Sequence, residues 1–148
     1  MKISENLSLK EVVKSNTATR LGIDNEPTRE HLENLIIIAE KVFQPIREHF
    51  KTPIGISSGY RSKELNTAVR GSSTSDHCKG MALDLDADIF EGVSNKEIFE
   101  FIRDNLEFTQ LINEFNYSWV HVSYDENNLK KQILTAEKKN GRTKYVKL

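Results

Sequence analysis

Read for the spacing of its apolar positions, the chain changes period several times. Between Thr28 and about Phe50, Leu32, Leu35, Ile36, Ala39, Val42, Phe43, Ile46 and Phe50 recur at steps of three and four. That spacing predicts one long amphipathic helix, bent or interrupted where Pro45 removes a backbone donor. Ahead of it, Ser8-Leu-Lys-Glu11 has the form of a capping box and predicts a short helix. After it, Pro53 to Ser57 reads as a short buried strand. Ser62 to Val69 reads as a helix with a serine N-cap, closed by a C-cap glycine, Gly71. Met81 to Asp86 alternates apolar and acidic residues, the mark of a strand with one polar face. Ser94-Asn-Lys-Glu97 is a second capping box, opening a helix whose apolar side is Ile98, Phe101 and Ile102. Phe108 to Phe115 and Ser118 to Tyr124 are strand-like runs separated by a minimal Asn116-Tyr117 turn. The expected class is α+β, a small, mainly antiparallel sheet with flanking helices.

Composition narrows this picture without changing it. At 148 residues, with 37% hydrophobic and 29% charged residues, the expectation is a single domain over 1–148 that builds its core without staples. No apolar run approaches the roughly 18 residues of a membrane span, so no membrane insertion is expected. The first residues, MKISENLSLKEVV, lack the apolar region of a signal peptide. The expected location is therefore the cytoplasm of the producing cell, with any exit by a route other than the chain's own export signal. One cysteine excludes an intrachain disulfide. A net charge of -1 argues against nucleic acid as a partner. The charge is uneven, because the segment from about 129 onward carries seven Lys/Arg against one Glu. That segment reads as a solvated face or tail, an appendage of the same domain, with attraction to an anionic polymer such as a cell wall as the second reading.

Candidate chemistry centres on few residues. Of the four histidines, His31 and His49 lie among charged positions of the long helix and are expected to face solvent. His77 sits in a Ser/Thr/Gly-rich loop seven residues before Asp84, and His121 lies inside the strand-like Trp-Val-His-Val-Ser. Alternation turns His121 away from Val120 and Val122. Two histidines and a carboxylate are the donor set of a zinc site that keeps a fourth position for water. Taken alone, these residues leave a metal site and satisfied core histidines as alternatives. Asp84, Asp86 and Asp88 do not form a calcium loop, since the sixth position is Ile89 and the twelfth Asn95. Cys78, next to His77, is expected to be a small buried hydrophobe and not a fourth ligand.

The ordered motifs S-G-Y-R-S at Ser58 to Ser62, S-x-H-x-x-G-x-A-x-D from Ser75 to Asp84, and W-V-H-V-S around His121 resemble the M15-type zinc D,D-carboxypeptidase and endolysin family. S-N-T-A-T-R-L-G-I-D-N before the long helix is similar to the family's N-terminal half, so the resemblance covers most of the chain. It implies the Hedgehog/D,D-peptidase fold and one zinc ion per chain, held by His77, Asp84 and His121. It implies a zinc-dependent metallopeptidase acting on the stem peptides of bacterial peptidoglycan, either as a D-Ala-D-Ala carboxypeptidase or as an L-Ala-D-Glu endopeptidase. Arg61 matches the arginine that holds the substrate's carboxylate or polarised carbonyl, a task suited to a planar guanidinium. Ser75 and Gly80 match loop-shaping positions, and Ser75 is expected to line the substrate site; Trp119, by its own position, is expected either to wall that site as a substrate-binding residue or to anchor the hairpin. A phage-encoded lytic enzyme, released to or delivered at the cell wall, would suit a chain without an export signal.

One position departs from the pattern. Some branches of the family carry the catalytic acid three residues before the last histidine, where this chain has Ser118. A hydroxyl is no general base at neutral pH. The related branch that reads L-I-x-E-F before W-x-H points to Glu114. A two-residue turn at Asn116-Tyr117 would pair Glu114 with Trp119 and Ile112 with His121, placing residues 114, 119 and 121 on one face. The competing class is a non-catalytic zinc-containing module of the same fold that binds cell wall or protein partners. A fourth protein ligand closing the metal would favour it.

Overall fold

The computed structural model of the protein describes residues 1–148. It begins with a small hairpin, β1 (Lys2–Ser4) and β2 (Leu7–Ser8). This leads into α1 (Leu9–Val13), whose start carries the capping box between Ser8 and Glu11. After α2 (Asn16–Leu21), Thr28 caps α3 (Arg29–Ile38) by accepting the His31 backbone N–H. The apolar period from Thr28 to Phe50 does form one continuous helical rod, but the rod carries a π turn at Ala39–Phe43 before α4 (Gln44–Phe50). Pro45 explains it. A proline has no N–H and its ring crowds the carbonyl four residues back, and a one-residue widening of the preceding turn relieves both problems.

Next come β3 (Gly55–Ser58), α5 (Lys63–Ala68) and β4 (Ala82–Asp86), followed by α6 (Asn95–Asn105) with its capping box at Ser94 and Glu97. The strands β5 (Gln110–Glu114), β6 (Trp119–Ser123), β7 (Gln132–Lys139) and β8 (Arg142–Lys147) complete the chain. They join β3 and β4 in a six-stranded sheet of order β3-β4-β6-β5-β7-β8. Every pairing in it is antiparallel except β5 with β7. The α+β class with a mainly antiparallel sheet is thus observed. No helix is long and apolar enough to cross a membrane.

Strand alternation assigns the two faces of this sheet to different tasks. Leu83, Leu85, Leu111, Val120 and Val122 face the rod and α6, burying Leu35, Ile38, Val42, Phe43, Ile46, Ile98, Phe99 and Ile102 between them. Each such side chain contributes about 1.5–3 kcal/mol relative to exposure, so this layer fixes the sheet. The opposite face is formed by the intervening residues and carries the polar groups.

Three local expectations need correction. The basic segment is not a tail: it is β7 and β8, a hairpin around Asn140 and Gly141, both with positive φ (52° and 76°). Asn-Gly at positive φ is the sequence mark of a tight hairpin turn, and it was there to be read. The β5–β6 connection is not a two-residue turn, because Phe115, Asn116 and Tyr117 all have positive φ (51°, 55° and 62°) and the Ser118 N–H donates to the Glu114 carbonyl at 2.9 Å. Such left-handed residues cost about 1–2 kcal/mol each. They are held by the Asn113 side chain, which accepts the Tyr117 N–H at 2.6 Å, and by Asn95, whose Nδ2 donates to the carbonyls of Tyr117 and Ser118 at 3.0 and 3.2 Å. Finally, the left-handed residue after α5 is Arg70 (φ 60°), with Gly71 following it.

Candidate metal site and its cleft

His77 owes its position to a short turn. Ser75 Oγ accepts the His77 backbone N–H at 3.2 Å, opening a 3-10 turn over Asp76–Lys79 that Gly80 closes in the left-handed region. A side chain at Gly80 would collide with the His31 carbonyl of α3, so the loop lies directly on that helix. The His77 Nδ1–H donates to the Gly59 carbonyl at 2.6 Å. A carbonyl can only accept, so this bond fixes the tautomer and leaves the Nε2 lone pair facing the cleft. Gly59 itself packs against α1, where any Cβ would meet the Val12 carbonyl.

Asp84 and His121 come from neighbouring strands. They are directly paired across the β4–β6 ladder and therefore share a face. His121 Nδ1 lies 3.0 Å from Asp84 Oδ1, and His77 Nε2 lies 3.2 Å from the same oxygen. One ligand atom from each of the three residues falls within 4.8 Å of the others. Burial opposes the charge on Asp84, but the two imidazoles outweigh it and hold the carboxyl well below the usual carboxylate range. An unprotonated Nε2 and a carboxylate oxygen at 3.2 Å present lone pairs to each other, an arrangement that a shared cation or an extra proton satisfies. The donor set therefore fits a divalent metal ion. Cys78 is half-buried and outside this group.

Arg61 faces the trio from the exit of β3. Its Nε donates to Ser58 Oγ at 3.1 Å, its Nη1 donates to Asn66 Oδ1 at 3.0 Å, and its Nη2 lies 3.6 Å from Asp84 Oδ2. Asn66 is oriented in turn by its own donation to the Ser72 carbonyl at 2.8 Å. Gly71 makes room for this arrangement, since a Cβ there would strike the Asn66 side chain and come within 2.9 Å of Arg61 Nη1. Asn25 fixes the same segment, donating to the carbonyls of Val13 and Tyr60 and accepting the Ser62 N–H at 2.7 Å.

Glu114 pairs with Trp119, and Ile112 pairs with His121, so the expected register holds although the turn is wider. The wider connection still spans an even number of residues, which preserves the facing. Glu114 is only 7% exposed. Burial first, and the Asp84 charge after it, push its carboxyl up to about 7 against a partial lowering by His121. Trp119 packs against Phe115 with ring centroids 5.4 Å apart. Arg61, Ser75, His77, Asp84, Glu114, Trp119 and His121 all line one cleft of about 820 Å³. His49 is exposed and stacks on Phe101, as a surface histidine should. His31 departs from expectation: it is half-buried and its Nδ1 lies 3.2 Å from the Tyr60 hydroxyl, outside the cleft.

Residues that sequence reasoning missed are the supporting ones. Gly59 acts through a carbonyl and Asn66 through its amide, and neither type signals such a role in a sequence. The β7–β8 hairpin also lines the cleft; Asn140-Gly141 announced its turn, and nothing in the sequence announced that placement.

A family model described as peptidase M15 matches residues 5–123 of the chain. No curated protein matches it.

Proposed function

The chain belongs to the peptidase M15 family, and we propose that it is a zinc metallopeptidase hydrolysing peptide bonds in the stem peptides of bacterial peptidoglycan. The observation that carries this reading is the convergence of His77, Asp84 and His121 with a buried glutamate, Glu114, on one sheet face, with Arg61 opposite. His77 through Nε2, His121 through Nδ1 and Asp84 through its carboxylate would hold the ion, three protein donors being the usual complement of a catalytic zinc. When bound, zinc supplies Lewis acidity, drawing the pKa of water toward about 7 and polarising the scissile carbonyl.

The chain's own residues supply the rest. Glu114 takes the proton of the attacking water as its oxygen bonds to the carbonyl carbon. It gives that proton to the nitrogen as the C–N bond breaks, leaving a carboxylate and a free amine. The burial of Glu114 on the same sheet face as the trio places it for both transfers. Arg61, with its fork already oriented by Ser58 and Asn66, offers parallel hydrogen bonds to a substrate carboxylate or to the negative oxygen that develops. Ser75 shapes the His77 turn, and Trp119 walls the cleft beside Glu114. Three donors without a fourth protein ligand favour this enzyme over a closed structural zinc module of the same fold.

Digestion of purified peptidoglycan with the zinc-loaded protein tests the reading. New amino and carboxyl termini identified by mass spectrometry, absent with Glu114→Gln, are the expected result, and they distinguish carboxypeptidase from endopeptidase action. Intact peptidoglycan after digestion with the zinc-loaded protein would overturn it.

A further inference from the structure

Two rows of paired residues run across the site face of the sheet and end in the hairpin. The first is Asp84, His121, Ile112, Leu134 and Lys147; the second is Trp119, Glu114, Ala136 and Tyr145. The metal row thus ends on an ammonium and the acid row on a phenol. Both terminal residues lie beyond position 123, outside the family match.

The charge distribution in this hairpin is selective. Of the seven cations in the basic segment, only Lys138 and Lys147 line the cleft. The Lys138 ammonium donates to Thr143 Oγ1 at 3.4 Å and stands 5.3 Å from the centroid of the Phe115 ring. Neither lysine forms an ion pair with a carboxylate of the chain. Between Lys147 and the metal row the floor is apolar, formed by the buried cluster Ile112, Leu134 and Ala136, whereas Lys138 lies two residues past Ala136, the partner of Glu114, and so flanks the acid row. A cation without an acidic partner at the far end of an apolar floor, as Lys147 is, forms a receptor for a negative group on an extended ligand, and Lys138 adds a second positive charge along the same wall.

Resting on the peptidase reading above, we propose that the β7–β8 hairpin is the specificity wall of the cleft: Lys147, with Lys138 supporting it from the side of Glu114, binds a carboxylate of the substrate peptide that lies two to three residues from the scissile bond. The distance follows from the ladder. Neighbouring strands are about 4.8 Å apart, so His121 and Lys147, three strands apart, have backbones separated by about 14 Å. A lysine reaching inward spans roughly 6 Å of that gap. The remaining distance of about 8 Å is covered by two to three residues of an extended peptide at ~3.3–3.6 Å each. The substrate class is therefore an acidic peptide with a free carboxylate at that offset, on the side of the cleft away from Arg61.

Isothermal titration of zinc-loaded Glu114→Gln tests this with two synthetic stem peptides, identical except that the carboxylate at the offset is free in one and amidated in the other. The free acid should bind about three- to tenfold more tightly, the range for two partly exposed charge contacts, and the preference should shrink with added salt. Lys138→Met with Lys147→Met should abolish the preference, and the double arginine variant should restore it. In the active protein the methionine variant should raise KM for the acidic peptide while leaving kcat and zinc content unchanged. Equal binding of the two peptides, or a preference that survives the methionine variant, overturns the specificity wall alone. Absence of binding by either peptide to the zinc-loaded protein overturns the peptidase reading together with it.

Discussion

Glu114 and His121 stand diagonally across the β5–β6 ladder, with Trp119 opposite the first and Ile112 opposite the second, so both side chains project from the same face. That relationship gives the carboxylate access to the atoms around the trio without making it a fourth ligand. Glu114→Gln keeps the shape and removes the proton acceptor. Hydrolysis should fall by roughly 10²–10⁴, with zinc content by atomic absorption unchanged. Ser118→Ala should cost far less, since Ser118 is exposed and its hydroxyl donates to the Phe115 carbonyl at 2.8 Å. Full activity in Glu114→Gln would mean that another group carries the proton.

Zinc should raise thermal stability, because the trio brings buried donors together in the fold and the unfolded chain does not. At a free zinc concentration about 100-fold above Kd the gain is about 2.7 kcal/mol. Differential scanning fluorimetry with and without chelator measures it. His77→Ala or Asp84→Ala should remove most of the zinc response. A response of undiminished size in both variants would place the metal elsewhere.

Much of this site was legible because its parts obey local rules. Alternation alone turned His121 away from Val120 and Val122, and the two capping boxes marked the starts of α1 and α6. The shared face of Glu114, Trp119 and His121 was readable for a subtler reason: it depends on the parity of the loop and not on its conformation. The actual turn, three left-handed residues without a glycine, was not readable, because besides the local Asn113 acceptor it needs long-range donation from Asn95. The parallel pairing of β5 with β7 was equally hidden, since a strand's sequence does not name its neighbour. The basic segment misled through its charge: on β7 and β8 alternation sends some of its lysines to the outer face, leaving Lys138 and Lys147 in the cleft.

The metal-free protein should lose stability toward neutral pH through Glu114. Its folded pKa of about 7 lies above an ordinary value of about 4.3, so protonation favours the folded state. This contribution is fully present below about pH 4 and is lost as the pH rises through about 7. Asp84 has the opposite sign, its stabilisation being present above the ordinary carboxylate range and lost in acid as the pH falls through its depressed value. Glu114→Gln isolates the first effect. Relative to wild type, the chelated variant should gain on the order of 2–3 kcal/mol between pH 4 and pH 8. Urea denaturation at the two pH values measures it, and parallel pH profiles for the two proteins would contradict the buried-carboxyl account.

Gly71 offers a test of the Arg61 arrangement that leaves Arg61 in place. Its φ is not in the left-handed region, so alanine is conformationally allowed there; the obstacle is space, with the Asn66 amide and Arg61 Nη1 occupying the volume of a Cβ. Gly71→Ala should push Asn66 away, release its acceptor bond to Arg61 and misdirect the guanidinium. Displacements of about an ångström at a reacting centre cost up to about 10²-fold, so kcat/KM should fall by roughly 10–10²-fold. The metal donors are untouched, and zinc affinity should match wild type. Asn66→Ala, which removes the same acceptor without adding bulk, should reproduce the defect. Combining it with Gly71→Ala should add little, because both changes break one contact. Additive losses in the double variant would show that Gly71 acts by some path other than Asn66 and Arg61.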